Sequence, residues 1–125
     1  MMYTKEDMKD IRKALQACVE IWDIQAETGD GDKIDAMEKV FDQESCCDIL
    51  NNCPCCEYAG GGSLCPDCDL CPIVWVEEYL ISPPYCQRDP DSPYHKWCYA
   101  GTEPERKKYA RQIADLARKA LKDLG

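Results

Sequence analysis

The sequence predicts a mainly helical protein with an irregular, metal-stapled, cysteine-rich centre; a small α+β fold is the alternative. Three observations lead to this prediction. Apolar residues recur at helical spacing near both ends of the chain. Ten of the 11 cysteines fall within residues 46–98, among prolines and glycines that interrupt regular structure. The length of 125 residues is typical of one domain, so we expect residues 1–125 to form a single unit.

Residues 1–45 are predicted to form a helical hairpin. Thr4 is a candidate N-cap, followed by acidic residues that suit the helix dipole. The first apolar stripe consists of Met8, Ile11, Leu15, Cys18 and Trp22. Because Cys18 lies on this stripe, away from the other cysteines, we expect it to be a buried core thiol. Residues 28–32 (TGDGD) are predicted to form a turn rather than a calcium loop, because Ile34 falls where such a loop needs an acid. The second, shorter stripe consists of Ile34, Met37, Val40 and Phe41.

Residues 102–125 are predicted to form one amphipathic helix. Thr102 and Glu105 have the spacing of a capping box, and Pro104 occupies the first turn. The predicted apolar stripe consists of Tyr109, Ile113, Leu116, Ala120 and Leu124. The basic residues on the opposite face are Lys107, Arg111, Arg118 and Lys122. We expect this basic face to be solvated surface, with a patch for phosphate or an acidic partner as the alternative.

Residues 46–101, which we call the cysteine-rich module, are predicted to be mostly loop. Residues 73–76 are apolar and β-branched enough for one short strand, whereas residues 82–93 contain four prolines and indicate an irregular loop. Without its cysteines the chain has few large apolar residues, and small domains with thin cores need additional cross-links. The module is therefore expected to depend on its cysteines for order.

Disulfides do not fit the cysteine pattern well. The cysteine count is odd, and the chain starts with charged residues instead of a signal peptide. In the adjacent pairs Cys46–Cys47 and Cys55–Cys56, neighbouring Cα atoms lie ~3.8 Å apart, which strains a disulfide. We therefore expect reduced cysteines in an intracellular, cytoplasmic protein, where this pattern indicates metal binding or catalysis.

The cysteine spacing favours a structural zinc site. Cys53 and Cys56 form one C-x2-C pair, and Cys68 and Cys71 form another. Two such pairs supply the four thiolates of a tetrahedral zinc site. Cys65 competes for a place in this set, because it also stands in a C-x2-C relation to Cys68. Ten cysteines between residues 46 and 98 would also allow two sites.

A [4Fe-4S] cluster for electron transfer or redox sensing is the alternative. Cys65, Cys68 and Cys71 have the spacing of the first three cysteines of a bacterial ferredoxin run. Trp75 occupies the position of the fourth cysteine, so that motif is broken. The candidates for a fourth ligand are Cys56, Cys86 and Cys98.

A thiol oxidoreductase is the second alternative, and a non-enzymatic role is favoured over it. A redox C-x2-C pair usually lies near a βαβ pattern, which the sequence lacks. His95, the only histidine, lies in the proline-rich loop three residues before Cys98. It has no evident partner to orient it as a catalytic base, so we assign no catalytic residue. We expect a structural or surface role for it, with a role as a metal ligand as the alternative.

The order of motifs in the middle of the chain is distinctive. The motifs are Cys53-x2-Cys56, Cys68-x2-Cys71-Pro72-Ile73, Cys86 and Tyr94-x2-Trp97. This order resembles small cysteine-rich proteins encoded by bacteriophages and prophages, whose function is generally unassigned. The resemblance implies an intracellular protein with a metal-binding centre. The central sulfurs that it implies are those of Cys53, Cys56, Cys68, Cys71 and Cys86. The cysteines that this chain adds to the pattern are Cys46, Cys47, Cys55, Cys65 and Cys98.

The distribution of charge along the chain predicts which class of partner the protein binds. The chain carries a net charge of −9, to which residues 46–101 contribute −6 and residues 102–125 contribute +3. The cysteine-rich module is therefore not expected to bind nucleic acid, whose readers present a basic surface. We expect a protein partner, of basic character. No apolar run approaches the ~18 residues of a membrane span, so no membrane contact is expected.

Overall fold

The structure, a computed structural model, describes residues 3–29, 34–42 and 92–124. A 3₁₀ helix, Glu6–Lys9, comes first. The α-helices that follow are α1 (Ile11–Thr28), α2 (Ile34–Val40), α3 (Pro93–Cys98) and α4 (Glu103–Leu124). No strand occurs among the described residues, whose one β contact is an isolated parallel bridge between Tyr3 and Phe41. The mainly helical prediction is confirmed for this part of the chain. The strand predicted at residues 73–76 lies outside it.

The N-terminal segment contains two helices where the sequence predicted one continuous helix from Thr4. The Thr4 side-chain oxygen does accept a hydrogen bond from the Asp7 N–H at 3.2 Å, although Lys5 is the residue that directly precedes the helix Glu6–Lys9. That helix is only the 3₁₀ turn, because Asp10 leaves the helical conformation with φ −98° and ψ 121°. The Asp10 carboxylate then accepts hydrogen bonds from two N–H groups in the first turn of α1. The predicted start was wrong because Asp10 is itself an N-cap.

The first helix, α1, is the central element because it buries two adjacent faces. One face packs against α3 and α4, and the cluster includes Leu15, Cys18, Trp22, Ala26, Tyr94, Trp97 and Ile113. The other face packs against the N-terminal segment and α2, and this cluster includes Ala14, Ala17, Ile21, Tyr3, Met8, Met37 and Phe41. A surface helix buries one stripe, so burial on two sides marks α1 as the core of the described fold. The prediction of a buried Cys18 is confirmed.

The last helix, α4, packs on α1 through small side chains. Its buried residues are Ala110, Ile113, Ala114 and Ala117. Of the predicted stripe, only Ile113 is fully buried; Tyr109, Leu116 and Ala120 are half-buried and Leu124 is exposed. The predicted face was rotated away from the true contact because alanine contributes little to an apolar pattern. In the structure, alanines form much of the surface that faces α1.

The end of α1 is joined to the beginning of α4. The predicted N-cap is confirmed, because the Thr102 hydroxyl accepts from the Glu105 N–H at 3.3 Å. The Glu105 carboxylate accepts from the Thr102 hydroxyl at 3.1 Å, where a full capping box has it accept from the Thr102 N–H. Gly29 ends α1 in the left-handed conformation, and its N–H donates to the Gln25 carbonyl at 2.9 Å. The Arg106 side chain then donates to the Gly29 carbonyl at 2.7 Å.

The basic face of α4 is partly engaged in ion pairs. Lys107 pairs with Glu103 at 3.2 Å, one turn earlier. Arg118 pairs with Asp115 at 3.0 Å and also with Asp23 on α1. These carboxylates raise the pKa of Arg118, the Asp23 hydrogen bond having the largest effect. Arg118 is exposed, as expected for a solvated basic face, and its ion pair with Asp23 also links the two long helices.

Candidate metal centre

The cysteines of the predicted metal site lie outside the described residues. They are Cys53, Cys56, Cys65, Cys68, Cys71 and Cys86. Their role as ligands therefore stays a prediction. Among residues 3–29, 34–42 and 92–124, no group of three or more His, Cys, Asp or Glu side chains is arranged to hold a metal ion. The two described cysteines are Cys18, which is buried, and Cys98, which is exposed.

The described residues that precede the cysteine-rich module are well anchored after α2. The Tyr3 N–H donates to the Val40 carbonyl at 2.8 Å, and the Asp42 N–H donates to the Tyr3 carbonyl at 3.0 Å. Phe41 is fully buried, and its ring meets the Tyr3 ring edge-on with centroids 6.5 Å apart. Hydrogen bonds and aromatic packing therefore fix the residues that precede the module.

The described C-terminal part of the module contains a capped helix that the sequence prediction missed. Ser92 is buried, and its hydroxyl accepts a hydrogen bond from the Tyr94 N–H at 3.3 Å. Pro93 occupies the first turn of α3, where its missing N–H costs nothing. The loop predicted for residues 82–93 therefore ends at a helix N-terminus, and His95 lies on α3 rather than in a loop. The Ser-Pro pair was the available signal, because serine at the N-cap before proline is typical of a helix start.

Three aromatic rings hold α3 against α1, and we call them the aromatic cluster: Trp22, Tyr94 and Trp97. The Trp22 ring centroid lies 5.0 Å from that of Trp97 and 5.3 Å from that of Tyr94, with interplanar angles of 88° and 73°. Tyr94 and Trp97 themselves meet at 6.0 Å and 75°. Edge-to-face pairs of this kind contribute ~0.5–1.5 kcal/mol each beyond the burial of their surface. The cluster therefore fixes the short helix in position on α1.

Besides Tyr94 and Trp97, α3 carries two residues of types that bind metal ions, His95 and Cys98. His95 is half-buried and Cys98, three residues later, is exposed. The His95 ring contacts the ring of Tyr99, with centroids 4.7 Å apart. Residues three apart in a helix are neighbours on its surface, so the imidazole and the thiol belong to the same side of α3. Both side chains are zinc-ligand types.

Two shifted pKa values belong to the N-terminal anchor. Burial, together with a hydrogen bond and negative charge from Glu20, raises the pKa of Tyr3 to about 12. The backbone N–H of Thr4 lowers the pKa of Asp7, and Lys13 adds to this effect. Both groups stabilise the segment next to α2, and neither lies beside a nucleophile among the described residues.

Comparison of the chain with known protein families, with characterised proteins and with solved structures finds no match. The resemblance to phage-encoded cysteine-rich proteins therefore stays a prediction. No helix in the described part of the chain is long and apolar enough to cross a membrane.

Proposed function

We propose that the protein is a small intracellular interaction protein in which Zn²⁺, held by cysteine thiolates, organises residues 46–101. The proposed ligands are Cys53, Cys56, Cys68 and Cys71, with Cys65 and Cys86 as further candidates. The observation that carries the proposal is the density of cysteine, ten residues between positions 46 and 98, with repeated C-x2-C spacing. A site closed by four thiolates is structural rather than catalytic, because no position is left for substrate or water.

The described fold supports a structural role for the metal. The helices around α1 have their own apolar core, and the described residues on both sides of positions 43–91 are anchored at Asp42 and Ser92. Because residues 46–101 carry a net charge of −6 and are rich in Cys, Pro and Gly, we expect burial of apolar surface alone to be too small to order them. Metal binding would supply that free energy, as it does in zinc modules that fold only when loaded. It would also close long loops, which removes conformational entropy from the unfolded chain.

An iron–sulfur cluster is the second candidate, favoured by one observation. The run Cys65-x2-Cys68-x2-Cys71 presents three thiolates at ferredoxin-like spacing. Under this alternative the protein serves electron transfer or redox sensing, and the helices around α1 house the cluster.

Measuring the bound metal separates these candidates. The protein is purified without oxygen, its visible spectrum is recorded, and zinc, iron and acid-labile sulfide are measured per chain. We expect a colourless protein with about one or two zinc ions, as thiolate-rich structural sites give. A brown protein with matching iron and sulfide supports the iron–sulfur alternative. Absence of both metals refutes both candidates and leaves the thiol oxidoreductase to be tested by alkylation.

The partner that we propose is a basic protein in a cytoplasmic setting, and the phage resemblance suggests a bacterial host factor. The support is the net charge of −9 and the exposed acidic side chains along α1 and α2, which are Glu20, Glu27, Asp35 and Glu38. Such a surface attracts basic partners through long-range electrostatics. Immobilised protein should retain basic proteins from a bacterial lysate, and rising salt should release them. Retention of acidic proteins only, or binding that salt does not weaken, would contradict this.

A further inference from the structure

We propose that the exposed face of α4 binds the phosphate backbone of duplex DNA, independently of base sequence. The side chains that would make the contacts form one line along the helix, which we call the basic row: Lys108, Arg111, Lys119 and Lys122. This inference goes beyond the structural metal and the basic protein partner, because it assigns a partner of opposite charge to α4 alone.

The packing of α4 on α1 decides which basic side chains face outward. The residues that α4 buries are Ala110, Ile113, Ala114 and Ala117. On the opposite side, all four members of the basic row are exposed. At about 100° and 1.5 Å per residue, their positions fall within an arc of about 80° and span about 21 Å. Lys107 and Arg118, which the apolar pattern of the sequence placed on this face, lie at its flank instead.

The basic row keeps its positive charge because the nearest acid pairs with another residue. None of the ion pairs among residues 3–29, 34–42 and 92–124 involves Lys108, Arg111 or Lys122. Asp115 lies within the same arc, but its carboxylate pairs with Arg118 at 3.0 Å. Residues 102–125 carry a net charge of +3 in a chain of net charge −9. The remaining acidic surface would repel DNA and so orient α4 toward it.

The shape of the basic row favours a duplex over other anions. Duplex DNA carries one negative charge per ~1.7 Å of its axis, so a row of about 21 Å faces many phosphates at once. A small anion would need side chains that converge on one point, whereas these are spread along the helix. A single strand is typically bound by exposed aromatic rings that stack on its bases. The one aromatic ring of α4, Tyr109, is half-buried, and the Lys108 ammonium lies 5.4 Å from its centroid.

The salt dependence of binding tests the proposal, because it counts the phosphate contacts. The full chain in its purified metal state is titrated onto a fluorescein-labelled duplex of about 20 base pairs, and anisotropy is measured at several salt concentrations. Four contacts predict a slope of log K against log salt of about −3.6, so affinity should fall roughly 100-fold between about 50 and 200 mM salt. Unlabelled duplexes of unrelated sequence should compete equally well.

Variants assign the contacts to the basic row. Arg111→Gln and Lys122→Gln should each make the salt slope shallower by about 0.9. Lys39→Gln, which removes an exposed lysine from α2, is the matched control and should bind as the wild type does. Circular dichroism checks that each variant keeps its helices.

Three results would overturn the proposal. The first is no binding of the wild type to the duplex at about 50 mM salt, and the second is an unchanged slope in both α4 variants. The third is binding to polyglutamate without binding to DNA, which would assign the basic row to an acidic protein partner instead.

Discussion

Replacing Gly29 with alanine tests how α1 ends against α4. Gly29 has φ 65°, a left-handed conformation that costs a residue with a Cβ ~1–2 kcal/mol. An added Cβ would also overlap Cγ of Glu103 and lie 3.1 Å from two carbons of Lys107. Moving the exposed Glu103 side chain aside would cost little beyond its surface ion pair with Lys107, worth ~0.3–0.5 kcal/mol. Backbone strain is therefore the larger contribution to the folded state.

Gly101 provides the matched control. A Cβ there has nothing within 4 Å, and its φ is outside the left-handed range. Either alanine restricts the unfolded chain and by itself stabilises the protein by ~0.4–1 kcal/mol. This effect cancels when the two variants are compared. We expect Gly101→Ala to be neutral or slightly stabilising, and Gly29→Ala to be less stable than Gly101→Ala by about 1–2.5 kcal/mol.

The measurement is urea unfolding followed by circular dichroism on the full chain in its purified metal state. Gly29→Asn should fall between alanine and the wild type, because asparagine tolerates the left-handed conformation better. Repeating Gly29→Ala in a Glu103→Ala background separates the backbone strain at residue 29 from the overlap with the Glu103 side chain. We expect the loss of stability caused by Gly29→Ala to change by less than ~0.5 kcal/mol in this background. Equal stability of Gly29→Ala and Gly101→Ala would refute this description of the junction.

Three further predictions follow from the core and the proposed centre. Trp22→Ala should lower the free energy of unfolding by ~3–5 kcal/mol, because the aromatic cluster loses its central ring; Trp22→Phe should cost less, and a loss below ~1 kcal/mol for alanine would contradict the packing. Tyr3 has its pKa raised to about 12, so the stability it contributes below pH ~10 should disappear as the pH rises to about 12. Over that range the free energy of unfolding of the wild type should fall by ~2–3 kcal/mol relative to that of Tyr3→Phe. Urea unfolding at several pH values measures this difference, and an equal pH dependence of stability in the two proteins would exclude the effect. Cys68→Ser should reduce bound zinc and increase proteolysis within residues 46–86, while the helical circular dichroism of the core persists. Its matched control, Cys18→Ala, should keep the metal and lose core stability instead; intact metal content in Cys68→Ser would argue against its role as a ligand.

Local signals were sufficient for several helix ends. The Thr102 N-cap and the end of α1 before Gly29 both appear in the structure where the sequence indicated them. Asp10 and Ser92 are also N-cap residues, but the sequence prediction missed them. Asp10 lies within a continuous apolar stripe and Ser92 within a proline-rich stretch, and each segment was assigned by that wider pattern. A cap of one or two residues decides where a helix starts, and an average over a longer window obscures it.

For the metal centre, the sequence indicated the type of ligand and its spacing, but not how ligands distant in the chain group together. The side-by-side placement of His95 and Cys98 depends on α3 being a helix, which the proline content of residues 82–93 concealed. The packing of Tyr94 and Trp97 against Trp22 holds this helix in place, and that packing is a tertiary contact that the sequence of residues 82–98 does not reveal.

The sequence by itself determined that the described part of the chain is helical, that Cys18 is a core residue and that ten cysteines cluster between residues 46 and 98. These properties follow from periodicity, composition and capping, which are local. Only the tertiary structure decided that α1 is buried on two faces, that alanines of α4 form much of its contact with α1, and that Arg118 reaches Asp23. The physical reason is that a side chain's burial and ion pairing depend on the surface opposite it, and that surface comes from distant parts of the chain.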